Sequence, residues 1–163
     1  MKKIFLFLTA IAVLSACTND SKQRDNEVEQ AEVPNTSAQP ATLFDVPWSA
    51  VLDSASQKIQ MTQTKEVKTE DLNLANVTES INRKYPEITI TQPRQSHDTV
   101  YVSIPNAQYL TQGAGTMGAE IYLAESTYSF TQIPGVTYVN FDFKTGDHAS
   151  PGTFDRTSFE FKK

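Results

Sequence analysis

The 163-residue chain has one cysteine, Cys17, so no disulfide can form within it and no cysteine-based zinc site can be built. Basic residues never run longer than two, the net charge is −5, and the pI is about 5.0. A phosphate-binding surface needs clustered Lys and Arg, so nucleic acid is excluded as a partner. No apolar stretch approaches the roughly 18 residues of a bilayer-spanning helix. There is also no nucleophile elbow, no Ser-His-Asp order and no paired-carboxylate pattern. An enzyme is therefore not expected, and neither is a cofactor.

What is present begins with an export signal. Lys2-Lys3 precede the short apolar run Ile4–Val13, and Leu14-Ser15-Ala16-Cys17 follows with small residues before the break. Residues 1–17 thus read as a secretory signal peptide. Their last four residues resemble the bacterial lipobox, in which the cysteine is acylated and becomes the mature N-terminus. Lipidation of Cys17 also accounts for a thiol with no partner elsewhere. Once Lys2 and Lys3 are removed, 12 basic residues face 19 acidic ones, a net of −7. An anionic lipid surface would repel such a body, so the acyl chains must hold it. Thr18, where some bacteria place an aspartate to retain a lipoprotein at the inner membrane, favours the outer membrane.

Residues 18–42 lack aromatics and are rich in Asn, Asp, Ser, Gln, Glu, Ala and Pro. Such a composition cannot bury enough apolar surface to offset the entropy of ordering. It reads as a disordered tether reaching about 25–30 Å on average. Apolar content returns at Leu43 and Phe44, which places one folded domain at 43–163, large enough for a real core.

Within that domain, residues 43–52 are compatible with a strand or a short helix, and Asp53–Ser56 resembles a turn. Lys58–Thr62 alternates apolar and polar as a half-buried strand does. Leu74, Val77, Ile81 and Tyr85 recur at helical spacing, with Asn76 and Glu79 as a capping box and Pro86 as the stop. Glu87–Thr91 and Thr99–Ile104 alternate again and are expected to form a hairpin across a Pro93–His97 loop. A second helix runs from about Thr116 to Thr131 and is stopped by Pro134-Gly135. Val136–Phe143 follows as the last strand. This order predicts an α+β fold, a two-layer split βαβ (βαββαβ, ferredoxin-like) domain with one open sheet face. Gln60, Thr89, Thr99, Tyr101, Ser103, Asn140 and Asp142 are the polar alternates expected there.

Ala119-Glu120, Tyr128-Ser129-Phe130-Thr131, Pro134-Gly135-Val136, Val139 and Gly146 carry a resemblance over roughly residues 98–148. They resemble the GerMN domain of bacterial envelope and sporulation proteins. The resemblance implies a small module similar to ring-building-motif domains, used for envelope assembly or binding rather than turnover. The chain differs in having one copy and a tail, Asp147–Lys163. Its second half also resembles an uncharacterised group of envelope lipoproteins.

Gly113-Ala114-Gly115-Thr116-Met117-Gly118 spells G-x-G-x-x-G, but Pro105–Gln112 separate it from the preceding strand, so a dinucleotide site is not expected. Asp142, Asp147, His148 and Asp155 are the only cluster of metal-ligand types, at a spacing that matches no metal site. A metal-dependent hydrolase at Asp147-His148 is the enzymatic alternative. Tyr101, Tyr109, Tyr122, Tyr128 and Tyr138 should divide between core and exposed surface, and exposed tyrosines suit interfaces or glycan stacking. The sequence thus predicts a lipid-anchored, extracytoplasmic binding or assembly module. Its partners would be the membrane through the lipid, an envelope protein or a second copy, or alternatively cell-wall glycan such as peptidoglycan.

Overall fold

The computed structural model describes residues 43–53, 55 and 58–159. The leader, Cys17, the tether and the last four residues lie outside the described residues. Among the described residues, six strands form two sheets, packed with two α-helices. The strands are β1 (Trp48–Asp53), β2 (Lys58–Gln63), β3 (Thr91–Ser96), β4 (Thr99–Ser103), β5 (Tyr138–Asp142) and β6 (Gly152–Phe154). The helices are α1 (Leu74–Lys84) and α2 (Gly115–Phe130). The fold is α+β, as the alternation of strand and helix signals requires.

The larger sheet runs β3-β4-β5-β6, with β4 and β5 parallel and the outer pairs antiparallel. Its centre is the β4-α2-β5 unit. Val100 and Val102 on β4 and Val139 and Phe141 on β5 are buried, while the residues between them face the other side. Side chains of this size each gain about 1.5–3 kcal/mol from full burial, so these two strands fix the core. Val77 and Ile81 of α1 and Tyr122 and Phe130 of α2 complete it.

α2 packs on β5 and also on β1 and β2, and from Tyr122 to Phe130 every residue is buried. An amphipathic surface helix would alternate; a helix enclosed by other elements does not. Ser126, Thr127 and Ser129 are tolerated there because small side chains permit close approach. Ser129 also donates to the Glu125 carbonyl oxygen one turn back, at 2.7 Å.

Several expectations are corrected. Lys58–Thr62 does not join the main sheet as a split βαβ arrangement would have it. It is β2, paired antiparallel with β1, and this pairing settles residues 48–52 as a strand. The fourth strand of the main sheet comes instead from the tail, as β6. Residues 87–90 are not in a strand. The Ile90 amide donates to the Asn82 side chain (2.8 Å), and Asn82 donates back to the Ile90 carbonyl (3.0 Å). That side chain occupies the groups a strand partner would have used. Ile88 and Ile90 are nonetheless buried.

The hairpin arm is instead β3, whose Thr-Gln-Pro-Arg-Gln-Ser sequence has no apolar residue. Pro93 is accommodated because β3 is an edge strand with a bulge at Thr91–Arg94 and a positive φ at Gln92. His97-Asp98 forms the turn, with φ 55° at His97, and the Asp98 carbonyl accepts from the Thr137 and Tyr138 amides at the start of β5. The cap of α1 is Asn73, not Asn76: its side chain accepts from the Asn76 amide at 3.0 Å.

Candidate functional site

In sheets with parallel strands, ligand sites gather beyond the carboxyl ends of those strands. Here β4 and β5 are the parallel pair, and their carboxyl ends lead into segments 104–114 and 143–149. The first of these contains a π-turn at Tyr109–Gly113, closed by the Ala114 amide donating to the Tyr109 carbonyl at 2.7 Å. Such wide turns recur at functional sites. Leu110 and Thr111 point into the protein and are buried, whereas Tyr109 is 45% exposed. A Cβ on Gly113 would lie 2.9 Å from Tyr109 Cδ2, so only glycine lets the ring lie across its own turn.

The ring borders an open cleft of about 580 Å³. Pro86, Glu87 and Thr89 from the α1–β3 connection form one wall, and Asn106, Tyr109 and Gln112 form the other. A second depression, of about 370 Å³, shares Asn106, Gln108 and Gln112 with the first and reaches Lys144 and Thr145. The two hollows adjoin along the 106–112 segment.

The segment after β5 is clamped onto this turn. The His148 amide donates to the Thr111 carbonyl at 3.0 Å, and the Gly146 amide to the Ala149 carbonyl at 3.1 Å. A Cβ on Gly146 would sit 2.5 Å from Thr111 Cβ, so Gly146 is required by the closeness of the two loops. His148 Nδ1 lies 3.1 Å from Thr116 Oγ1 in the first turn of α2. The Gly113–Gly118 motif therefore has steric explanations: ring contact at Gly113, φ +70° at Gly115 where α2 starts, and a 3.2 Å approach to Ala114 at Gly118.

The four metal-ligand types are placed apart in role. Asp142 is exposed on the open face of β5, and Asp147 is exposed in the loop beside His148. Asp155 closes the C-terminal turn instead: it accepts from the Thr157 hydroxyl (2.8 Å) and from the Ser158 hydroxyl (2.8 Å) and amide (2.9 Å). Those bonds, the two hydroxyls first, hold its carboxyl below the usual carboxylate range. Among the described residues no group of three or more His, Cys, Asp or Glu is placed to hold a metal ion.

The open sheet face is a second concave surface, with a groove of about 610 Å³. Thr99, Tyr101, Ser103, Asn140 and Asp142 lie there as the alternation predicts. Gln60 instead lies on β2, and Thr89 lines the cleft. One cross-sheet row reads Arg94, Tyr101, Asn140, Thr153. The Arg94 guanidinium sits 4.1 Å over the Tyr101 ring, and Asn140 donates to Thr153 at 2.8 Å.

No pattern in the chain signals the buried carboxylate of Glu125, which is 2% exposed. It accepts from the Ala50 amide of β1 at 2.9 Å, from the Tyr85 hydroxyl and from the Lys84 ammonium. It ties α1, α2 and the β1–β2 hairpin together. Burial and the adjoining Glu125 push the Tyr85 hydroxyl far above its ordinary titration range, and burial does the same to Tyr122. Both phenols therefore stay protonated well into alkaline solution.

Of the five tyrosines singled out from the sequence, Tyr122 and Tyr128 are core, Tyr109 and Tyr138 are exposed, and Tyr101 is half-buried on the open face. The cleft residues Glu87, Asn106, Gln108 and Gln112 were not singled out. The one available signal was the run of amide side chains around Tyr109.

Residues 1–18 match the family described as the prokaryotic membrane lipoprotein lipid attachment site. Neither curated proteins nor solved structures gave a match. The chain is a lipid-anchored protein of the bacterial cell envelope.

Proposed function

We propose that this protein is a non-catalytic binding or assembly module, held outside the cytoplasm by acyl chains on Cys17. The outer membrane is the favoured site, because Thr18 is not an inner-membrane retention signal. Each acyl chain contributes about 0.8 kcal/mol per buried methylene, and two or three together anchor stably. The GerMN-like reading belongs here too. It is supported by the β4-α2-β5 order, by the Pro134-Gly135 turn with φ +81° at Gly135, and by the tight seat of Gly146.

One observation carries the binding reading. Both concave surfaces carry a tyrosine beside amide and hydroxyl groups, with Glu87 added in the cleft and Arg94 and Asp142 on the sheet face, a mixed set suited to holding a partner. Meanwhile His148, Asp155 and Glu125 are engaged by neighbours within the fold.

In-cell photo-crosslinking tests it, with a diazirine amino acid placed at Tyr109, at Tyr101 and at the exposed control Glu66. Envelope adducts at Tyr109 or Tyr101 above the control support the module. Yields at both sites no higher than at Glu66 would refute it.

A further inference from the structure

The geometry points to the cleft beside the π-turn as a binding site for a neutral saccharide chain, with Tyr109 as its stacking platform. This deepens the binding-module reading and rests on it. Three features of the cleft select that chemistry.

First, the ring of Tyr109 is both exposed and held in place. Gly113 leaves just enough room for the ring to lie close against the turn, while the residue stays 45% exposed on the lining of the cleft. A fixed aromatic plane with a polar rim matches the alternating C–H and hydroxyl faces of a pyranose. Little side-chain entropy remains to be lost when a ligand stacks there.

Second, the polar groups around the ring are uncharged donors and acceptors. Asn106, Gln108 and Gln112 each present an amide oxygen and an amide nitrogen, and Thr89 adds a hydroxyl. Hydroxyl and acetamido substituents of a sugar need such mixed partners. The eight lining residues include one carboxylate, Glu87, and no cation. A phosphate or nucleotide seated against Tyr109 would meet the Glu87 carboxylate, and the adjoining hollow offers a single lysine, Lys144, where clustered cations are needed.

Third, the shape suits a chain better than an isolated ring. The cleft of about 580 Å³ falls in the range of small-ligand sites, and the adjoining hollow of about 370 Å³ extends it past the shared amides towards Lys144. A linear saccharide lying across the Asn106–Gln112 segment would occupy both hollows.

The test is calorimetric titration of the full-length lipidated protein in micelles of the sugar-free detergent octaethylene glycol monododecyl ether with the β-1,4-linked tetrasaccharide of N-acetylglucosamine. Saturable binding is expected, little changed by salt because the probe is neutral. Tyr109→Ala should weaken it about tenfold, Tyr109→Trp should keep it within about threefold, and Gln112→Ala should weaken it about threefold. Glu66→Ala, away from both concave surfaces, should leave it unchanged. Circular dichroism checks that each variant is folded. The inference is overturned if the wild type does not bind, if Tyr109→Ala binds equally well, or if Glu66→Ala abolishes binding. Should any of these occur while Tyr101 still crosslinks to an envelope component, the binding module stands and only the saccharide cleft falls.

Discussion

Removing the Glu125 carboxylate should loosen the β1–β2 hairpin from the rest of the domain. Glu125→Ala leaves three donors without an acceptor: the Ala50 amide, the Tyr85 hydroxyl and the Lys84 ammonium. Breaking a buried ion pair costs about 3–5 kcal/mol when the abandoned charge stays buried. The Lys84 side chain is 37% exposed and can turn to water, so the lower part of that range applies. The Ala50 amide and Tyr85 hydroxyl each add a desolvation cost of about 1–3 kcal/mol where they cannot rehydrate, partly overlapping with the first. A loss of about 3 kcal/mol is the expected result.

Urea denaturation in dodecyl maltoside should then show a midpoint lower by about 1.5–2 M at unchanged slope. Hydrogen exchange should place the extra opening at residues 48–63. A double-mutant cycle with Lys84→Met should give a coupling energy of about 1–2 kcal/mol. A total loss under about 1 kcal/mol, or a coupling near zero, would refute the view that Glu125 fastens the hairpin.

Other predictions concern different parts of the fold. Gly146→Ala must displace Thr111 and should cost about 1–3 kcal/mol, read as a lower melting temperature; an unchanged value would mean the loops are not clamped. Tyr85 and Tyr122 titrate higher in the folded protein than the ordinary phenol value near 10, so stability should be full below pH 10 and fall above it as the unfolded chain loses those protons. Alkaline denaturation curves should flatten when either residue is changed to Phe, and persistence of the full slope in Tyr122→Phe would contradict this. Asn73→Ala should cost about 1 kcal/mol through loss of the α1 cap, measured by urea denaturation; no cost would move the cap elsewhere. Zn²⁺ or Ca²⁺ should leave the melting temperature unmoved, and a rise of several degrees would restore the metal reading at Asp147-His148.

The parts of the fold legible in the sequence are those where burial alternates with exposure. β4, α2 and β5 were placed almost to the residue because Val100, Val102, Val139 and Phe141 mark one face of the sheet and Pro134-Gly135 marks a stop. The alternation at Glu87–Thr91 misled for a physical reason. Ile88 and Ile90 are buried as strand residues would be, yet Asn82 supplies the hydrogen bonds of a neighbouring strand. β3 was illegible because an edge strand packed by polar residues and interrupted by Pro93 has no apolar period.

The pairing of β2 with β1, rather than with the main sheet, depends on α2 being covered on a second side. A periodicity reading cannot see that, because Ser126, Thr127 and Ser129 look like an exposed face. The candidate cleft was half visible. Tyr109 stood out as a tyrosine fit for a surface, but the π-turn that presents it has no sequence signature. Glu87 and Thr89 were assigned to a strand that does not form.

The account as a whole depends on where this domain is held and by what. Intact-mass spectrometry of the protein extracted from bacterial membranes measures that directly. The expected mass is that of a chain beginning at Cys17 and carrying two or three acyl chains. A mass equal to the unprocessed chain, or to a cleaved chain without acyl groups, would contradict it.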